Sequence, residues 1–270
     1  MTGQQRLEAW ERAHDYEAYV GRWSRAVARE FLRGLPVHEG REWLDVGCGT
    51  GALTQTIVEE AAPATVVGMD RSEEFVVNAR RWVGDRARFQ IGDAQALPVA
   101  SGGFDAVVSG LVLNFVPEPR RMLSEMTRAT RAGGTVALYV WDYAGRMEIM
   151  RRFWDAAKAI DPAAAVLDEG IRFPICAPEP LAKLFRDAGL AGIVTFAIDI
   201  QTVFRDFDDF WSPFLGGQGP APGYAASLPE QRRDQLRERI RSGMPVGPHG
   251  SIRLTARAWA ARGTKVAQRG

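Results

Sequence analysis

The stretch Trp43-Leu44-Asp45-Val46-Gly47-Cys48-Gly49-Thr50-Gly51 decides how the rest of the chain is read. Residues 43–46 are apolar apart from Asp45, as in a short strand buried inside a sheet. Alternating glycines then break the strand into a turn, and a helix begins near Ala52. Glycine carries no Cβ, so such a turn bends sharply and lets a ligand lie flat against the backbone. Asp45 changes which ligand that is. A turn that cradles phosphate with its N–H groups gains nothing from a neighbouring carboxylate, whereas a cationic amino-acid group gains a partner. Glycine turns also simply join strands to helices, so the meaning of this one depends on the residues C-terminal to it.

Beyond Gly51 the chain alternates between helix and strand. Strands are expected over 42–46, 65–69, 87–91, 104–109 and 135–141, separated by helices over about 51–61, 72–83 and 117–131. Ser72 caps the second helix, with Glu73 and Glu74 in its first turn. Pro117-Glu118-Pro119 opens the third, and Gly133-Gly134 ends it. Strands alternating with helices indicate a parallel sheet covered on both faces. Ligands of such sheets sit beyond the carboxyl ends of the strands. The Gly47 turn, Asp70, Asp93 and Ser109 all fall at those ends.

Outside this core the pattern is looser. Residues 7–35 read as helical, with Trp10, Tyr16, Tyr19, Trp23 and Val27 among the large apolar positions and Gly21 interrupting them. Beyond Trp141, helices are expected over 146–160, 178–188 and 229–241, and strands over 192–203 and 251–261. Segment 161–180 is loop-rich, and 215–229, rich in Gly and Pro, reads as a flexible loop. The two late strands suit an antiparallel pair added at the sheet edge. One domain is expected over 1–270: a helical segment over 1–40, a ligand-binding core over 41–141, and substrate-side insertions with edge strands over 142–270.

Composition narrows the function. The 270 residues are 46% hydrophobic and 25% charged, ordinary for a globular protein. A net charge of +1 gives no strong field for nucleic acid. Basic residues alternate with acids, as in Arg237-Glu238-Arg239, which reads as a solvated helix face. Cys48 and Cys176, without a histidine cluster, make no zinc site. No apolar run approaches the ~20 residues needed to span a bilayer. A cytoplasmic location and no membrane partner are expected.

With these residues in order, the sequence resembles the class I S-adenosylmethionine (SAM)-dependent methyltransferases, notably small-molecule enzymes related to those of ubiquinone biosynthesis. Leu44–Gly51 resembles the family's first motif, Val67-Gly68-Met69-Asp70 its second, and Gly92-Asp93-Ala94-Gln95-Ala96-Leu97-Pro98 its third. Phe104–Ser109, Asn114–Pro119 and Gly133-Gly134-Thr135 resemble the remainder, and Tyr19–Ser24 agrees with a subgroup. The resemblance is strong over 41–141 and covers only the layout beyond. It implies a Rossmann-like α/β fold: a seven-stranded, mostly parallel sheet with helices on both faces, an antiparallel strand at the C-terminal edge, an N-terminal helical segment and lid insertions. It also implies SAM as cofactor and a small-molecule methyl acceptor. Gly47, Cys48, Gly49 and Gly51 would face the methionine part of SAM, with Asp45 toward its ammonium. Asp70 would take the ribose hydroxyls, Met69 and Arg71 would flank the adenine, and Asp93 with the Ala94 N–H would read its edge. Ser109 and Leu111 would line the cofactor. Tyr19 and Trp23 would close over the methionine end or serve the substrate lid.

The catalytic residue is not legible. Many relatives carry His where Asn114 stands, and Asn is no base near neutral pH. His14, His249, Asp142 and Tyr143 are the candidates for contact with substrate, while His38 sits in a surface-like connector. Trp154, Phe173, Phe204, Phe207, Phe210, Trp211 and Phe214 supply aromatic surface; a subset facing a cavity would suit a hydrophobic or aromatic acceptor. A nicotinamide-dependent oxidoreductase would carry G-x-G-x-x-G rather than G-x-G-x-G. A SAM-binding module without turnover would keep the same motifs.

Overall fold

A computed structural model describes residues 21–216 and 219–267 of the chain, so His14 and Tyr19 lie outside the described residues. The described chain forms two compact units. One comprises residues 24–140, 175–198 and 258 onward; the other comprises 141–174, 199–257 and the residues up to Trp23.

The first unit is built on the expected alternation. After α1 (Arg22–Arg33) come β1 (Glu42–Val46), α2 (Ala52–Glu60), β2 (Thr65–Asp70), α3 (Glu73–Val83), β3 (Arg88–Ile91), β4 (Phe104–Gly110), α4 (Pro119–Ala129) and β5 (Thr130–Trp141). Two later strands, β6 (Leu190–Phe204) and β7 (Ile252–Lys265), complete a seven-stranded sheet in the order β3-β2-β1-β4-β5-β7-β6. The first five strands pair in parallel, and the C-terminal edge is antiparallel. Asp45 lies opposite Gly68 on β2 and Val108 on β4, and Asp70 lies opposite Ile91. This register brings the ends of β1, β2 and β4 to one level.

The central strands are dry on both faces. Leu44, Val107 and Val136 lie in register on one face and Trp43, Val108 and Ala137 on the other, and all six are buried, the pattern of strands covered on each side. Ser72 caps α3 as expected, accepting from the Phe75 N–H at 3.3 Å.

Two local expectations fail. Gly133-Gly134 does not stop the third core helix; α4 ends at Ala129, and β5 already starts at Thr130. The glycines lie inside the strand, at a register shift in the β4–β5 ladder. Gly133 has φ +79, and a Cβ on Gly134 would stand 2.7 Å from the Asp105 carbonyl oxygen. They mark a bulge, where a glycine permits close backbone approach.

The second failure lies in the other unit, which contains α5 (Glu148–Ile160), a 3₁₀ turn over Pro162–Leu167, α6 (Glu169–Arg172), α8 (Phe207–Trp211), α9 (Pro220–Ser227) and α10 (Glu230–Ser242); α7 (Pro178–Asp187) belongs to the first unit. The Gly/Pro-rich segment expected to be loop thus holds a helix, α9. Proline at its start suits a first helical turn, and Tyr224 is buried with its ring 5.8 Å from Trp154. Packing overrides a composition that reads as loop. Phe153 stacks on Phe214 at 4.7 Å in the same cluster, so these aromatics are core. Among the described residues, no helix is long and apolar enough to cross a membrane.

Candidate functional site

The site starts from the end of β1. The Asp45 side chain is fully buried, and its Oδ2 accepts the Thr54 hydroxyl at 2.6 Å. Its Oδ1 has no partner. Burial pushes the carboxyl up to about 7; the Thr54 hydroxyl pulls against that rise, and the neighbouring Asp70 adds to it. A buried carboxylate oxygen without a donor is costly unless something cationic or N–H-bearing meets it.

The glycine turn is pinned before any ligand arrives. Gly47 and Cys48 both donate their N–H groups to the Met69 carbonyl, at 2.7 and 2.8 Å. Gly49 donates to Asp70 Oδ2 at 3.0 Å, and Ser72 donates to Oδ1 at 2.9 Å. Asp70 thus fastens the turn to the end of β2, while each carboxylate oxygen keeps further lone-pair capacity. Burial raises its pKa, and these two N–H groups draw it back.

The glycines share a left-handed conformation but do three jobs. At Gly47 (φ +74) a Cβ would meet Val112 Cγ2 at 2.5 Å, so this glycine admits the segment that succeeds β4. At Gly51 (φ +91) it would press on Val83 and Ala79 of α3, at 3.1 and 3.3 Å. At Gly49 (φ +53) it would meet nothing within 4 Å. Gly49 alone borders open space. Cys48 is buried among Val76, Ala79, Val83 and Phe89, where burial holds its thiol well above the ordinary range. It is a packing residue, which sequence position alone did not reveal.

The remaining expected residues differ in how free they are. Asp93 is exposed, and its Oδ1 accepts the Gln95 N–H at 2.8 Å in a tight turn. Arg71 is exposed, Ala94 is half-buried, and Met69 is buried. Ser109 donates its hydroxyl to the Val46 carbonyl at 2.7 Å, tying β4 to β1. Leu111 has φ +63, strained for a branched side chain, and its N–H bonds the Tyr139 carbonyl at 2.8 Å. Asn114 is nine-tenths buried, and neither atom of its amide has a partner.

Among the catalytic candidates, Asp142 is occupied: Oδ1 and Oδ2 accept the N–H groups of Gly145 and Arg146 at 3.1 and 2.8 Å. It caps the end of β5. Tyr143 is buried against Phe173, with centroids 5.7 Å apart. His249 sits exposed in a turn with φ +61, and His38 is exposed. Asp142, Tyr143, His249 and Trp23 belong to the unit that does not hold the glycine turn. Thr54 and Val112, which shape the turn, were missed. No sequence signal sets Thr54 apart from any helical threonine until the strand–turn–helix geometry places it over Asp45.

A doubly wound sheet with an acid before a glycine turn, and a second acid closing β2, defines the class I SAM-dependent methyltransferase architecture. Residues 44–138 match the methyltransferase domain family. It is 33% identical to a trans-aconitate 2-methyltransferase of Deinococcus radiodurans, over 43% of this chain and 43% of that one. It is 27% identical to a demethylmenaquinone methyltransferase of Halalkalibacterium halodurans, over 63% and 75%. Haemonchus contortus phosphoethanolamine N-methyltransferase 2, solved with phosphomonomethylethanolamine and S-adenosylhomocysteine, superposes with a TM-score of 0.56 at 16% identity, over 94% of this chain and 57% of that one. The last likeness is one of fold. The chain spans about half the length of the first curated relatives it matches.

Proposed function

We propose that the protein transfers the methyl group of SAM to a small-molecule acceptor, working chiefly by positioning. The observation that carries this reading is Asp45: a fully buried carboxylate with one oxygen unpartnered, set beside a glycine turn that is open only at Gly49. These features fit the amino-acid end of SAM, whose ammonium supplies the donor Oδ1 lacks. Asp70 keeps lone pairs for two ribose hydroxyls after its backbone bonds, and Asp93 keeps Oδ2 for the adenine amino group. When bound, the cofactor supplies a sulfonium-activated methyl group, ready for in-line displacement.

The chain's own part is then to hold and orient. Alignment of reacting groups contributes up to roughly 7–11 kcal/mol, without proton transfer. Asn114, buried and unpaired, is suited to hydrogen-bond a polar group but not to take a proton from one. An acceptor whose nucleophile is already deprotonated at neutral pH therefore fits best. The relatives named for trans-aconitate and for demethylmenaquinone support a small-molecule acceptor.

The test is turnover. Purified protein is incubated with SAM and a panel of small metabolites, and S-adenosylhomocysteine formation is monitored. Acceptor-dependent product supports the proposal; cofactor binding with no product across a broad panel favours a silent SAM-binding module.

A further inference from the structure

We infer that Glu169 is a pH-sensitive latch within the helical unit: its neutral carboxyl group holds α6 against α5, and its ionisation releases α6.

Asp168 and Glu169 are consecutive acids, both buried, and they divide their partners unequally. Asp168 takes the cations. Its Oδ2 accepts from Arg151 Nη1 at 3.0 Å and from Lys158 Nζ at 2.9 Å. Its Oδ1 accepts from Arg151 Nη2 and, at 2.9 Å, from the Gly170 N–H. Glu169 has only neutral donors: Trp154 Nε1, which donates to Oε2, and its own backbone N–H. Among the described residues it forms no ion pair, because Arg151 and Lys158 are turned to Asp168 and Asp155. A neutral donor stabilises a carboxylate less than a guanidinium does. A carboxyl group 2% exposed with that support alone resists giving up its proton.

The neighbouring charges do not reverse this. Arg151 on α5 favours the ionised form, Asp168 opposes it, and burial outweighs both, so the carboxyl is pushed from 4.5 up to about 7. The other charged groups of the packed elements are engaged elsewhere. Asp161 caps the 3₁₀ turn through the Ala163 N–H, and Arg172 lies over the Phe173 ring at 5.2 Å. Tyr224 of α9, with its ring 5.8 Å from Trp154, has its phenol pushed up by burial and stays neutral; Arg232 of α10 pulls against that rise.

Geometry makes α6 the part that responds. It is a single turn seated on residues 143–144: a Cβ on Gly170 would stand 2.9 Å from both Ala144 Cα and the Tyr143 carbonyl oxygen. Phe173, just past α6, packs on Tyr143 at 5.7 Å. Closed, this turn keeps water from Glu169; open, it solvates the carboxylate and restores an ordinary titration near 4.5. The closed form therefore holds a proton that the open form has released between 4.5 and about 7. Its stability is complete at low pH, falls as pH rises through that window and levels off above it.

Hydrogen exchange on the full chain tests the latch, read on peptides within 148–173 from about pH 5 to about pH 8 and corrected for intrinsic exchange. The opening constant of these peptides should rise about tenfold or more in the wild-type chain over that range. Glu169→Gln keeps a neutral acceptor for Trp154, so it should match the wild-type protection at the acid end and hold it to the alkaline end. Asp45, whose carboxyl is also raised by burial, is the same in both proteins, so its titration cancels in the comparison. A flat pH profile in the wild-type chain overturns the inference, as does an equal rise in Glu169→Gln. Failure of Glu169→Gln to fold at acid pH overturns it too, since the neutral form is the one said to hold.

Discussion

Thr54 donates its hydroxyl to Asp45 Oδ2 at 2.6 Å, and this is the bond that keeps a fully buried carboxylate from standing wholly unsolvated. It closes the strand–turn–helix unit from inside, since Asp45 lies near the end of β1 and Thr54 lies in the first turn of α2. The other oxygen has no partner. On the proposed reading it meets the SAM ammonium, which sets stability against cofactor binding at this residue in a way that can be measured.

The first prediction concerns pH. Asp45 sits at about 7 in the folded chain against 3.8 ordinarily, because of burial. Between those values the folded state holds a proton that the unfolded state has released. Stability contributed by this group is therefore present at low pH and lost as pH rises toward 7, by about 1.4 kcal/mol for each pH unit crossed. Cofactor affinity should run the other way, since a cationic ammonium needs the ionised carboxylate. Affinity should rise with pH through about 7 and then level off. Denaturant unfolding without ligand and calorimetric titration with S-adenosylhomocysteine, at pH values from well below to above that of Asp45, check both slopes.

Thr54→Val keeps the shape and removes the hydroxyl. The carboxyl loses the contact that restrains its pKa, so at neutral pH more of it is protonated. Cofactor affinity at neutral pH should fall, and its rise with pH should move to higher pH. Affinity unchanged at every pH would show that Asp45 does not meet the cofactor.

The glycines should separate by variant. Gly47→Ala combines a left-handed backbone with a 2.5 Å clash against Val112, and should cost stability by about 1–3 kcal/mol or more. Gly49→Ala meets no atom within 4 Å and carries only the backbone strain, about 1–2 kcal/mol. On the proposed reading, its methyl group enters the open space the cofactor would occupy. Cofactor affinity should therefore fall further than stability does, as read by titration and thermal melting on the same sample.

Ser109→Ala should behave in the opposite manner. The Val46 carbonyl loses its hydroxyl donor inside the sheet, at a cost of about 1–3 kcal/mol in unfolding free energy. Cofactor affinity should change little, because the hydroxyl is already committed to Val46.

Buried charge in the other unit gives a last variant. Asp168 is fully buried and bonded by Arg151 and Lys158, contacts that hold its pKa below 3.8. Asp168→Ala leaves Arg151 and Lys158 only Asp155, at 3.9 and 3.3 Å, and should cost about 1–3 kcal/mol in chemical denaturation. In the wild-type chain this contribution is present above pH 3.8 and is lost as pH falls through the lowered value.

The sheet was legible because its signals are local and repeated: apolar strands, Ser72 as a cap, and acids at strand ends. Asp45, Asp70 and the glycine turn emerged from the same alternation. The bulge at Gly133-Gly134 and helix α9 were not legible. Each depends on a neighbour distant in sequence: Asp105 for the glycine pair, Trp154 and Phe153 for Tyr224. Position at a strand end also overstated Ser109 and Asp142, whose polar atoms turn out to serve the backbone.

The central claim is that the acid-bounded turn is a SAM site, and direct titration of the wild-type chain tests it most simply. SAM and S-adenosylhomocysteine should each bind at one site per chain, with affinity sharply reduced in Asp45→Asn, while a nicotinamide dinucleotide should not bind. Nicotinamide binding without SAM binding would contradict the account.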